Sequence, residues 1–243
     1  MIQVIPVEGL PEIGEGDDLV AMIAESIPLQ DGDVVCVAHK VVSKAEGRVE
    51  HLDAVEPSER ARELAGLDGD PRRLELVLRE AARVLRARPP LVIAETRHGF
   101  VCASAGVDAS NAPEPDMAVL LPEHPDASAA SLRAGLEGRT GRTLGVVVTD
   151  TFGRAWRLGI ANVAIGAAGI EVLRDFRGEH DPAGYELHST VIAVADEIAA
   201  AAELVMGKAS AVPVAIVRGL TPEWFRDGSI REMIRPSSED LFR

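Results

Sequence analysis

The sequence predicts a mixed α/β fold, and three observations carry that expectation. Short β-branched runs bounded by Gly or Asp, clearest at Thr143 to Thr149 (TLGVVVT), read as buried strands. Between such runs lie stretches with apolar residues near the helical period. The 243 residues are 47% hydrophobic, enough for one large core or two smaller ones, which excludes a disordered chain.

In chain order, Ile2 to Val7 reads as a strand stopped by the Gly-Leu-Pro turn. Asp17 to Ser26 reads as a helix with acidic residues in its first turn, where the helix dipole favours them. A turn and a short strand, Val34 to Ala38, follow. Lys40 and Lys44, two of the chain's three lysines, stand at its exit. Pro57-Ser58 opens a helical stretch, and Pro71 to Arg86 has apolar residues at helical spacing with arginines opposite. Leu91 to Asn111 predicts two strands joined at Thr96 to His98, closing in the polar Asp-Ala-Ser-Asn cluster. Pro125-Asp126 starts a helix through Leu136, and the strand Thr143 to Thr149 then delivers Asp150 at its carboxyl end.

Gly159 to Gly169 is small and apolar, suited to close backbone approach. Val194 to Val205 predicts an Ala-rich helix ending at Gly207-Lys208, and Val212 to Gly219 a last strand. No repeat or linker divides the chain. Residues 1–243 are therefore expected as a single domain, with 220–243 a surface tail that holds Trp224.

Several functions are disfavoured by composition. A formal charge of -14 leaves no basic face for nucleic acid. No segment approaches the about 20 apolar residues of a membrane span, and no basic leader precedes an apolar core, so a cytoplasmic protein is expected. Cys36 and Cys102 sit in apolar runs and read as small hydrophobes. GxxxxGK[ST], a strand-linked GxGxxG, HExxH and paired CxxC are all missing, which leaves neither a P-loop nor a Rossmann reading. His39 alone lies in a candidate site; His51, His98, His124, His180 and His188 read as surface or turn residues.

Three strands thus end in polar clusters, HKVVSK, GVDASN and TDTFGRAWR, and strand ends are where α/β proteins commonly gather ligands. Asp108 and Asp150 are the candidate catalytic and metal-holding pair, because two carboxylates brought together call for a cation, and hard ions such as Mg2+ or Mn2+ take oxygen ligands. Thr151 and Asn111 add neutral oxygens. Equally open is that each Asp caps a turn or helix. Lys40 and Lys44 suit phosphate as flexible point charges, or form an exposed polar edge. Arg154, Trp156 and Arg157 either clamp an anionic, ring-bearing substrate or bury the indole while the guanidinium groups reach solvent.

The order of motifs, GLPEI, HKVVSKAEGR, GVDASN, VVTDTFGRAWRLGIANVAIGAAGI, ADEIAAAAELVMGK and VPVAIVRG, resembles the coenzyme F420-0:L-glutamate ligase family over about residues 2 to 220. The resemblance implies a mixed α/β, non-P-loop, non-Rossmann ligase working as an intertwined homodimer. Its substrates would be GTP, L-glutamate and coenzyme F420-0, with two Mg2+ or Mn2+ ions per site and K+ a candidate further ion. Leu10, Pro11, Glu12, Ile13, His39, Lys40, Lys44 and Asn111 would meet GTP, joined by the Met206-Gly207-Lys208 turn. Asp108, Asp150 and Thr151 would hold the metals, and Lys44 would act with the two aspartates in catalysis. Acceptor binding is assigned to Arg154, Trp156 and Arg157. His39 is a departure, standing where the family pattern has Ser or another small polar residue.

The implied chemistry is an acyl phosphate formed on the precursor's carboxylate and displaced by the glutamate amine, with no protein nucleophile. A metal-dependent phosphohydrolase and a non-catalytic GTP-binding subunit are the alternatives from other classes. Within the family, the module occurs alone or ahead of a C-terminal flavin-dependent reductase-like domain.

Overall fold

A computed structural model of the chain describes residues 1–241. Strand β1 (Gln3–Pro6) leads to helix α1 (Leu19–Ser26), and β2 (Asp33–Ala38) runs directly into α2 (His39–Ala45). A lobe follows, made of β3 (Val49–His51), α3 (Glu59–Ala65), α4 (Pro71–Glu80), β4 (Ala81–Arg88), β5 (Leu91–Thr96), β6 (Val101–Ala103) and β7 (Met117–Val119). Helix α5 (Pro125–Thr140) precedes a long hairpin, β8 (Leu144–Arg154) and β9 (Arg157–Ala168). A short pair, β10 (Arg174–Asp175) and β11 (Val191–Ile192), then α6 (Val194–Met206) and β12 (Val214–Arg218) follow.

The main sheet has the order β1-β12-β2-β8-β9, in which β2 and β8 are parallel and the other neighbours antiparallel. β2, β12 and the first half of β8 are apolar at nearly every position because both faces are covered there. Val35, Val37, Leu144, Val146, Val148 and Ile216 share one core with α1 and α5. Their neighbours Val34, Cys36, Val147, Ala215 and Val217 pack on α6. The lobe has a third core of its own around Leu64, Leu74, Leu76, Val77 and Val92.

The mixed α/β class and most predicted elements are found in place, with four differences. Asp18 is the N-cap of α1, accepting from Ala21 N at 2.9 Å, so the acidic pair precedes the first turn instead of occupying it. Helix α4 stops at Glu80, where Arg86 was expected. Its apolar spacing holds through Leu74, Leu76 and Val77, but from Ala81 on the backbone pairs with Leu91–Thr96, and Arg83 reaches across to Glu95 at 2.7 Å. Those ladder partners, on the next strand along the chain, outweigh local helical preference.

The third difference matters for the site: β8 does not end at Thr149 but continues to Arg154, because Gly159–Gly169 is largely its antiparallel partner β9. The close approach expected of those small residues is real at Gly166, where an added Cβ would collide with the Pro125 carbonyl oxygen. Fourth, the segment after Gly219 is less of a surface tail than expected. It lays Trp224, Phe225 and Met233 against the α6 core and buries Ile230. Phe242 and Arg243 lie outside the described residues.

Both cysteines are free and buried, and burial pushes each thiol up to about 12. Among the described residues no helix is long and apolar enough to cross a membrane.

Candidate active site

Register builds the site. In the parallel β2–β8 pair, Ala38 stands opposite Thr149, so the next residues, His39 and Asp150, come side by side although 111 positions apart in sequence. Helix α2 starts at His39, which puts Lys40 and Lys44, four residues apart, on one helical face. The β6–β7 connection brings Asp108, bridged to Val119, over the same end of the sheet.

These groups line a cavity of about 800 Å³. Its walls include Leu10, Pro11, Glu12 and Ile13 from the loop after β1, and His39, Lys40 and Lys44 from α2. Asp108 and Asn111 come from the lobe, Asp150 and Thr151 from β8, and Met206, Gly207 and Lys208 from the end of α6. Arg154, Trp156 and Arg157 are not brought to it. They stand at the exposed end of the β8–β9 hairpin, where Trp156 is 86% exposed with a φ of 65°.

Each charged group has a partner within the cavity wall. Lys40 Nζ donates to Asp108 Oδ2 at 2.7 Å, to Ser110 O at 2.9 Å and to Ser110 Oγ at 2.6 Å, using all three ammonium hydrogens. Ser110 N donates to the other oxygen of Asp108 at 2.8 Å. Burial pushes the Asp108 carboxyl up, but Lys40 and Ser110 outweigh it and the group lies below the usual carboxylate value. At Asp150 burial is again the largest influence and raises the carboxyl. The His39 ring, the Thr151 amide and the Lys40 charge together still hold it low. Both carboxylates are therefore anionic at neutral pH.

Lys44 is a buried lysine whose Nζ reaches Glu12 Oε1 at 2.5 Å, tying α2 to the loop after β1. Lys208 donates to Thr151 Oγ1 and lies 3.5 Å from Glu203. Thr151 Oγ1 in turn donates to Asn162 Oδ1 at 2.7 Å. All three lysines of the chain thus line one cavity. Asn111 adopts a left-handed φ of 54°, which Asn tolerates better than most residues.

Ser110, Asn162 and Glu203 belong to the site and were not singled out by the sequence. Ser110 lay within the Asp-Ala-Ser-Asn cluster. Asn162 carried a signal, as the sole polar side chain in GIANVAIGAAG. Glu203 carried none, since an acid on a helix is ordinarily a solvated one.

The donor set of the cavity is all oxygen: two ionised carboxylates with Thr151 and Asn162 beside one of them. Among the described residues no group of three or more His, Cys, Asp and Glu gathers. Mg2+ is commonly held by one or two carboxylates with water and substrate phosphates completing its shell, so it needs no larger protein group. Asp108, Asp150 and Thr151 therefore fit a hard divalent cation by their chemistry.

Fold and cavity define a mixed α/β protein in which ammonium groups and carboxylates face each other at the end of a sheet, without a glycine-rich phosphate loop. The F420-0:Gamma-glutamyl ligase family model matches residues 9–219. Over its whole length the chain is 49% identical to the coenzyme F420:L-glutamate ligase of Methanopyrus kandleri, covering 97% of that protein. It is 42% identical to the protein of that name from Methanothermobacter thermautotrophicus and 44% to that from Archaeoglobus fulgidus, covering 99% and 96% of them. The chain belongs to the F420-0:Gamma-glutamyl ligase family, and it is a ligase.

Proposed function

We propose that the protein joins L-glutamate to coenzyme F420-0 with GTP as the energy source, and extends the product by further γ-linked glutamates, as a cytoplasmic homodimer. The observation that carries this reading is the convergence of Asp108 and Asp150 with Lys40, Lys44 and Lys208 on one cavity, in a chain similar along its full length to named glutamate ligases.

Forming an amide from a carboxylate requires an oxygen to leave, and phosphorylation makes it a leaving group. The acceptor carboxylate would attack the γ-phosphorus of GTP, breaking the bond to the β-phosphate oxygen and releasing GDP. The glutamate amine would then add to the acyl phosphate, expel phosphate and lose its proton. Charge builds on phosphoryl oxygens in both steps, so the protein's task is positioning and neutralisation. Lys40 and Lys44 supply positive charge from α2, and Lys208 supplies it from the end of α6. The wall around Leu10 and Pro11 gives the nucleotide an apolar surface. Asp108, Asp150 and Thr151 would hold Mg2+ or Mn2+, whose chemistry when bound is to polarise phosphate oxygens and offset their charge.

The test is a product assay. Purified protein with GTP, Mg2+ or Mn2+, L-glutamate and coenzyme F420-0 is expected to give GDP and a product heavier by one glutamyl unit, read by mass spectrometry. Phosphate release from GTP that ignores glutamate and acceptor would make the protein a phosphohydrolase and overturn the proposal. GTP binding with no product would leave it a nucleotide-binding subunit.

A further inference from the structure

His39 is 2% exposed, and both of its ring nitrogens are turned to protein atoms. Nε2 lies 3.3 Å from Asp150 Oδ1, and Nδ1 lies 3.4 Å from Ser43 Oγ, one helical turn along α2. A ring so placed has no nitrogen left to offer a nucleotide. An ionised carboxylate only accepts, so the contact with Asp150 favours the tautomer with its proton on Nε2, which leaves Nδ1 to accept from the Ser43 hydroxyl.

Asp150 receives a second donor on the same oxygen, Thr151 N at 2.6 Å from Oδ1. Two donors on one oxygen set the rotation of a carboxyl group about its Cβ–Cγ bond. They leave Oδ2 as the oxygen for an occupant of the cavity. The arrangement follows from register, because Ala38 opposite Thr149 brings the first residue of α2 against the carboxylate of β8. The imidazole at position 39 spans that gap and also reaches Ser43, whereas a serine hydroxyl, one bond from Cβ, is much shorter.

We infer that His39 is a positioning residue: held by Ser43, it fixes the rotamer of Asp150 so that Oδ2 is presented to a divalent cation. This rests on the reading of Asp150 as a metal-holding residue. Partners of this kind, one step removed from the ion, typically change metal affinity by about 10–100-fold when lost.

The experiment titrates Mn2+ into the full chain and follows the free ion by electron paramagnetic resonance. Wild type is compared with His39→Ala, His39→Gln and His39→Asn, with circular dichroism confirming the fold. Gln places an amide donor near the position of Nε2, whereas Asn places one near Nδ1. The expected result is Mn2+ affinity weakened about 10–100-fold in the Ala and Asn variants and largely restored by Gln, with the GTP KM at saturating Mn2+ unchanged.

Equal Mn2+ affinity in folded Ala and wild-type protein overturns the inference. So does a raised GTP KM with Mn2+ binding intact, which would return His39 to the nucleotide. A wild-type chain that binds no Mn2+ would overturn the metal reading of Asp150 itself, and the inference with it. Should His39→Ala not fold, Ser43→Ala decides, since it keeps the imidazole but frees it to turn. A smaller loss of Mn2+ affinity supports the relay, and none overturns it.

Discussion

The two halves of the β8–β9 hairpin are continuous in backbone and opposite in environment. From Leu144 to Thr149 every residue of β8 is buried, with valines alternating between two cores. From Gly153 to Ile160 every residue is exposed, including Leu158 at 96%. Asp150, Thr151 and Phe152 occupy the crossing point. A carboxylate placed deeper would lack room for a ligand, and one placed further out would be screened by water. The hairpin therefore sets both the strength and the accessibility of its charge by how far along the strand the residue falls.

Substitutions along this hairpin sharpen the contrast. The largest effect is expected at the crossing: Asp150→Ala should reduce glutamate-dependent GDP formation by about 10³-fold or more while circular dichroism shows an intact fold. Retained turnover would remove Asp150 from the chemistry. In the buried half, Leu144→Ala should cost about 2–5 kcal/mol in urea unfolding, because a fully buried side chain leaves a cavity among β8, α5 and the neighbouring valines. On the partner strand, Gly166→Ala should cost about 1–3 kcal/mol, since the added Cβ collides with the Pro125 carbonyl, which is backbone and yields little. At the exposed end, Leu158→Ala should stay within about 0.5 kcal/mol in the same measurement. A large loss there would mean that the hairpin tip is packed against something in solution.

The same contrast explains what was legible in the sequence. Buried strands announce themselves: VVCVA and TLGVVVT are β-branched, short and bounded by turn residues, and both lie in the main sheet. The polar clusters after them are neighbours because strand ends converge, so Asp108, Asp150 and the lysines are legible from the sequence as one group. The end of β8 was misplaced because the polarity of Asp150 and Thr151 imitates a strand terminus, whereas the ladder is closed by β9, and pairing is not written in either strand alone. Residues 81–88 were misread for the same reason, their fate being decided by Leu91–Thr96 and not by their own spacing. Arg154, Trp156 and Arg157 are close in sequence to Asp150, but the hairpin sets them at its exposed end, outside the walls of this cavity. The nucleotide contact of His39 came from the family resemblance alone; that a helix begins at residue 39 and turns the ring toward Asp150 of β8 follows from the register, which neither strand states by itself.

Strand β1 is zipped to β12, Gln3 opposite Arg218, so the beginning of the chain and its final strand adjoin in a single sheet. Walls from the first dozen residues and from the stretch beyond residue 206 then meet around one chamber. A piece lacking residues 10–13 or 206–213 lacks part of the chamber wall, and any occupant clasps segments that denaturation would scatter. Saturating such a chamber should raise the melting temperature of the molecule as a unit, in proportion to the logarithm of the occupant's concentration over its dissociation constant.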